Sequence, residues 1–304
     1  MRIVVVGASG FVGSAVRGVL EQQGHEVIQL RAPRVSMNGG QGDQGDYAGL
    51  VDLVRALVAG ADSVVICSGN PDASEQDLGV LVAANALSPA IVASSAKLAG
   101  VTRLIYVSSA AVQGRRSVLD ESEETEAFSP YAYSKSEGER RVKEAYPQAI
   151  IYRPPSVHAV TRRVTSMTAR IAASPIATVA APGYQRSPQA LIGNVASAIA
   201  FLATTELAPP PVVIHPWEGL TAFDVMELLG GKRPKVLPRG IARAITSGLE
   251  LAGRKLPVIA ANARRVEMLW FGQGQADSWL TEAGWSPPHG RDAWRELGRA
   301  IRKS

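Results

Sequence analysis

The chain has 304 residues, 46% of them hydrophobic, and a formal net charge of +5 from 32 basic and 27 acidic side chains. That is enough apolar material to bury a substantial core in one large domain or two modest ones. The bases are scattered in pairs such as Arg115-Arg116, Arg162-Arg163 and Arg264-Arg265; without a basic stripe and interleaved aromatics, nucleic acid is excluded as a partner and small anions are favoured.

Met1-Arg2 leads straight into an apolar run at residues 3–6, which leaves no room for a charged and then apolar export leader, so none is expected. Residues 3–6 read as a strand. Residues 11–23 place Phe11, Val12, Ala15, Val16, Val19 and Leu20 at helical spacing, and residues 27–30 read as a second strand. Together they predict one βαβ unit. Residues 36–46 are rich in Gly, Gln and Asp, so any third strand there is short or replaced by loop. Further strands are predicted at 63–67, 103–107 and 149–152, alternating with helices at 48–59, 80–99 and 132–145. Near-continuous apolar strands between helices predict an α/β fold with a doubly wound parallel Rossmann sheet.

The only cysteine, Cys67, ends the run Val64-Val65-Ile66-Cys67. No intrachain disulfide can form, which suits a reducing compartment, and the thiol reads as packing. No apolar stretch approaches the roughly 20 uninterrupted residues of a membrane helix. A cytoplasmic protein without membrane contact is therefore expected.

After Arg153-Pro154-Pro155 the alternation fails, and Pro182-Gly183, Pro209-Pro210-Pro211 and Gly230-Gly231 separate mostly helical pieces. The expected division is a dinucleotide-binding domain at 1–155 and a smaller, mostly helical substrate domain at 156–304. Residues 212–215 are apolar enough to rejoin the main sheet, and about 187–216 should pack back onto the first domain.

Gly7-Ala8-Ser9-Gly10-Phe11-Val12-Gly13 lies between a predicted strand and an amphipathic helix. In that setting Gly7 permits the sharp turn, Gly10 admits a pyrophosphate close to the backbone, and Gly13 lets the helix approach the strand. Ser9, Phe11 and Val12 share the loop, and the phosphates would lie at the helix N-terminus, where free N–H groups favour an anion. Where an acid at the end of the second strand would bind the ribose of NAD, the chain has Arg31, with Arg34 close by. Guanidinium groups offer paired donors to a 2′-phosphate, so NADP(H) is favoured over NAD(H). Asp46 is a candidate for the adenine amino group.

Ser108-Ser109-Ala110-Ala111 follows the strand at 103–107, and Tyr131-Ala132-Tyr133-Ser134-Lys135 opens a helix. Tyr131 and Lys135, four apart, share a helical face, whereas Tyr133 lies on another. A nearby ammonium should lower the phenol's pKa and let Tyr131 exchange a proton with a substrate oxygen, while Ser109 hydrogen-bonds the same oxygen.

On these residues the chain resembles the extended short-chain dehydrogenase/reductase family, which includes nucleotide-sugar epimerases, dehydratases and 4-ketoreductases. The resemblance implies Ser109, Tyr131 and Lys135 as the catalytic trio and Gly7, Gly10 and Gly13 as the cofactor loop. It adds Asn85, in Asn85-Ala86-Leu87-Ser88-Pro89, to the cofactor side. It also implies Cys67-Ser68-Gly69 over the cofactor's phosphate–ribose region, and Pro154 and Val157 beside the nicotinamide. Asn70, Ala110, His158, Arg186 and Arg265 are then assigned to substrate, with Arg186 and Arg265 as candidates for a nucleotide-sugar pyrophosphate. His158 stands where the family commonly has a tyrosine, and Gln113 replaces another. Asp277-Ser278-Trp279-Leu280-Thr281-Glu282-Ala283-Gly284-Trp285-Ser286-Pro287 resembles the family's C-terminal signature.

Ala110-Ala111 occupies the place of a dehydratase's acid pair, which disfavours dehydration. NADPH-dependent reduction of a keto group on a nucleotide-linked (deoxy)sugar leads. The alternatives are an NAD-dependent nucleotide-sugar epimerase, a small ketone or aldehyde reductase of the dihydroflavonol type, and a dinucleotide-sensing regulator without turnover. No metal is called for, and a homodimer is expected only by analogy.

Overall fold

Residues 3–6 are almost fully inaccessible on both faces of the chain, the mark of a strand covered on two sides. In this computed structural model, which describes residues 1–35, 44–114, 116–253 and 266–303, that strand is β1 (Arg2–Val6). It is followed by α1 (Phe11–Gln22), β2 (Glu26–Leu30), α2 (Gln44–Val58), β3 (Ser63–Ile66), α3 (Leu78–Val82), α4 (Ser88–Leu98), β4 (Arg103–Val107), β5 (Val118–Leu119), α5 (Pro130–Ala145) and β6 (Ile150–Arg153). Then come β7 (Ser156–His158), α6 (Arg163–Ala173), β8 (Thr178–Ala180), β9 (Gln189–Leu191), α7 (Ile192–Thr204), β10 (Val212–Ile214), α8 (Ala222–Gly230), β11 (Lys235–Leu237), α9 (Arg239–Gly253), β12 (Gly274–Gln275) and a C-terminal helix, Arg291–Lys303.

The main sheet runs β10-β6-β4-β3-β1-β2 and every pairing in it is parallel. Successive residues of each strand feed opposite faces. Ile3, Val5, Val65, Ile105 and Tyr152 pack with Val16 and Leu20 of α1 and Val195, Ile199 and Leu202 of α7. Val4, Val6, Val64, Leu104 and Ile151 pack with α2, α4 and α5 through Val51, Val54, Ile91, Val92 and Val142. The doubly wound parallel sheet is therefore as the strand pattern predicts.

Two expectations change. Helix α2 begins at Gln44, inside the segment read as loop; residues 36–43 of that segment lie outside the described residues. Residues 78–98 form one continuous helical stretch, Leu78–Leu98, that is long and apolar enough by length and composition to cross a membrane, contrary to the expectation of none. Two thirds of its most apolar window is buried inside the protein, where α4 packs between α2 and α5.

Beyond β6 a second core gathers Ala169 and Ala172 of α6, Val225, Leu228 and Leu229 of α8, and Trp294, Leu297 and Ile301 of the C-terminal helix. Three two-stranded parallel ladders, β8–β11, β5–β12 and β7–β9, accompany these helices. The β5–β12 and β7–β9 ladders tie the later residues to the sheet's carboxyl edge, and α7 and β10 return to the sheet itself. Glu121 reinforces the join by accepting hydrogen bonds from the backbone N–H groups of Ile214 and Trp279 and from the Ser278 hydroxyl.

Candidate active site

The strand order reverses between β1 and β3, and parallel sheets bind ligands in the crevice beyond the strand ends at such a switch. A cavity of about 590 Å³ opens there. Its walls are the segments that follow β1, β3, β4 and β6: Gly7 and Ser9–Val12, Cys67–Asn70, Val107–Ala111 and Pro154–Val157.

Gly7 has φ +81, and a side chain there would press on the backbone of Ser68; at Gly13 a methyl group would run into the carbonyl of Gly7. The turn and the close helix–strand approach thus both require glycine. Gly10 forms the N-cap of α1 without a side-chain cap, so the first-turn amides are left free for an anion. Ser9, Gly10, Phe11 and Val12 all line the cavity.

Ser68 also lines it, and its buried hydroxyl has no hydrogen-bond partner. A glycine cradle, an uncapped helix start and an orphaned hydroxyl fit a dinucleotide's phosphates and ribose. The Cys67 thiol borders the same space, but burial pushes its pKa up to about 12, which leaves it an inert thiol.

At the cavity's other end stand Ser109, Tyr131 and Lys135. Ser109 ends the extended backbone after β4 and caps a short 3-10 turn, its hydroxyl accepting from the Ala111 N–H at 3.2 Å. Tyr131 sits in the first turn of α5, started by Pro130 and capped by Ser129. Burial pushes the Tyr131 phenol above its ordinary value, while the nearby Ser109 hydroxyl and the charge of Arg162 pull it back. The expected partnership with Lys135 takes another form. Lys135 Nζ donates to the Val107 carbonyl at 2.8 Å and to the Tyr106 hydroxyl at 3.3 Å, and burial lowers its pKa to about 8. The cation acting on the phenol is Arg162. Tyr133 is half exposed and does not line the cavity.

Behind the trio lies a saturated charge network. Arg153 at the end of β6 donates from Nε and Nη2 to the two oxygens of Glu139 at 3.0 and 2.7 Å, and from Nη1 to the Ser122 carbonyl. Glu139 in turn accepts from the Ser108 hydroxyl at 2.5 Å. All three guanidinium nitrogens are engaged.

Asn85 lies in a π-helical turn, Ala83–Leu87, between α3 and α4. It borders the cavity, but its amide accepts from the Asn70 N–H and donates to the Asn70 carbonyl and the Ser134 hydroxyl. Its carbonyl accepts from the Tyr106 hydroxyl. Asn85 therefore holds the loop after β3 in place instead of offering donors to a cofactor.

Arg34 lines a second cavity of about 590 Å³, which shares Ala32, Gly69 and Asn70 with the first. Arg31 is exposed at the end of β2. The side chain of Asp46 and all of Arg265 lie outside the described residues.

The substrate assignments divide. Asn70 and Ala110 line the main cavity, as do Pro154 and Val157 on the nicotinamide side. His158 does not: it is buried against Trp294, its Nε2 is 2.6 Å from Gln189 Oε1, and burial pulls its pKa down to about 4. Arg186 also turns away, donating to the Gln275 carbonyl at 2.8 Å and stacking on Trp217. Both are consumed by packing among later segments that sequence neighbours cannot reveal. Gln113 is likewise internal, exchanging hydrogen bonds with Asp120.

The cavity instead receives Arg162, Phe128, Met268 and Gln273. Arg162 was legible only as one member of a scattered basic pair. The Ser109 hydroxyl and the Tyr131 phenol, lining one end of the cavity, can exchange a proton with an oxygen held there.

The profile of the NAD dependent epimerase/dehydratase family matches residues 3–214. No curated protein sequence matches the chain. Among solved structures, the chain is similar to a dTDP-4-dehydrorhamnose reductase from Bacillus anthracis in complex with NADP, at 17% identity and TM-score 0.66, covering 100% of this chain and 99% of that one. A Thermus thermophilus UDP-glucose 4-epimerase complexed with NAD gives 20% identity and TM-score 0.63, covering both chains fully at 100%. A Bacillus cereus UDP-glucuronic acid 4-epimerase with NAD gives 17% identity and TM-score 0.65, covering 100% and 99%. These likenesses establish a shared Rossmann-type fold over the whole chain.

Proposed function

This chain belongs to the NAD dependent epimerase/dehydratase family, and from that premise we propose that it is an NADP(H)-dependent oxidoreductase that reduces a keto group of a nucleotide-linked (deoxy)sugar. The observation that carries the proposal is that Ser109, Tyr131 and Lys135 line the same cavity that begins at the glycine cradle.

A nicotinamide dinucleotide, when bound, supplies the hydride. The chain's own residues do the rest. Gly7, Gly10 and the first turn of α1 hold the phosphates, and Ser68 offers its free hydroxyl to the ribose region. Ser109 orients the substrate oxygen and Tyr131 gives it a proton. The phenol, pushed up by burial, holds its proton at neutral pH and is available as the acid of a reduction. Lys135, fixed by Val107 and Tyr106, presents its charge at the same wall. Residues 1–155, with 187–216 packed back on them, form the dinucleotide half in this proposal, and 156–304 the substrate half.

The cofactor choice rests on the end of β2, where Arg31 and Arg34 replace an acid. Arg34 borders the second cavity, within which a 2′-phosphate would find paired donors.

The test is a panel of ketosugar nucleotides with NADPH oxidation as readout. Turnover with NADPH supports the proposal; tighter binding of NADH removes the arginine argument. Release of a tightly held NAD on denaturing freshly purified protein, with interconversion of sugar epimers, would make the chain an epimerase instead.

A further inference from the structure

Beyond the pull of its charge on the Tyr131 phenol, Arg162 is given no part in the proposal above, yet its surroundings are unusual. It is the N-cap residue of α6 and makes no side-chain capping bond. Its guanidinium lies 4.7 Å from the centre of the Phe11 ring, and Phe11 is the first residue of α1. Its Nε is buried without a hydrogen-bond partner, and it lines the main cavity. Among the described residues no carboxylate forms an ion pair with it. A half-buried cation with unused donors is costly unless an anion completes it.

We propose that Arg162 clamps the pyrophosphate of the bound dinucleotide from the second half of the chain, facing the glycine loop across the phosphates. This rests on the dinucleotide reading given above. The pyrophosphate belongs at the uncapped first turn of α1, and stacking on Phe11 puts the guanidinium over that same turn. The glycine loop offers backbone donors from below, and Arg162 adds charged, paired donors from a different part of the chain. The other source of an anion is the substrate's own phosphate, and the experiment separates the two.

Purified full-length protein and its Arg162→Met and Arg162→Lys variants are titrated calorimetrically with ADP-ribose, which carries the pyrophosphate without nicotinamide. They are also titrated with adenosine 2′-phosphate, which lacks it. Arg162→Met should weaken ADP-ribose by about tenfold or more, leave adenosine 2′-phosphate unchanged, and be partly rescued in Arg162→Lys. The ligand-free melting temperature should hold or rise, because an uncompensated cation has gone. Unchanged ADP-ribose affinity with a raised KM for the sugar nucleotide would overturn the clamp and give Arg162 to the substrate. A lower melting temperature with parallel loss of both ligands would reduce Arg162 to packing on Phe11. If the unaltered protein binds no dinucleotide or ADP-ribose at all, the functional reading itself falls, and that result is visible before any variant is compared.

Discussion

Arg153 and Arg162 flank the segment that carries β7 on the way out of the sheet, and they are treated oppositely. Arg153 is almost inaccessible, and Glu139 and the Ser122 carbonyl take its donors. Arg162 is half-buried at the cavity wall, stacked on Phe11, with a buried nitrogen left unpaired. The first lies behind the Ser109 strand end and holds β6 to α5. The second lies in front of it. A cation whose donors are spent inside the protein builds the scaffold; one with donors to spare at a cavity wall is available to a ligand.

That contrast breaks most visibly at the chemistry it serves. Tyr131→Phe removes the proposed proton donor from the front wall and should lower kcat by about 10²–10⁴-fold. Steady-state kinetics and a dinucleotide titration should find turnover lost and binding kept; retained turnover would take Tyr131 out of the mechanism.

Next in size is the back wall. Glu139→Ala strands Arg153 as an unpaired buried cation and should cost about 3–5 kcal/mol of stability in urea unfolding. Adding Arg153→Met should recover much of the loss. A single variant as stable as the parent would mean that the saturated network is not scaffolding.

Arg34→Glu sharpens the same contrast at the far end of the cofactor. It should weaken NADPH relative to NADH by about tenfold, the loss of one charge-assisted contact. Equal effects on both cofactors would place the 2′-phosphate elsewhere.

The smallest effect concerns His158, a third fate for a basic side chain: buried, and kept neutral. Its pKa of about 4 in the folded protein lies below the ordinary value near 6.5. The unfolded chain therefore binds its proton first, and stability present above pH 6.5 is lost as pH falls toward 4. His158→Leu should flatten that decline in melting temperature across the window, and an unchanged slope would assign the acid sensitivity to other groups.

What could be read in advance follows the same division. Gly7, Gly10 and Gly13 announce themselves because a turn, a close approach and helix packing are local demands written in adjacent residues. Tyr131 and Lys135 share a face by helical periodicity alone. Yet the Lys135 ammonium goes to Val107 and Tyr106, on a strand that no spacing within α5 could disclose. Asn85 is similar: its position was legible, but its amide is committed to Asn70 and Ser134 by a π turn. Arg186 and His158 carried the right chemistry for a substrate and were claimed by Gln275, Trp217, Gln189 and Trp294.

By itself, then, the sequence determined the parallel sheet, the glycine loop and the order of Ser109, Tyr131 and Lys135, because each depends on hydrophobic period or on neighbours a few residues apart. Only the tertiary structure decided which cations are neutralised and which face the cavity. A side chain's partners there come from segments remote in sequence, and whether its donors are spent or spare is a property of that meeting.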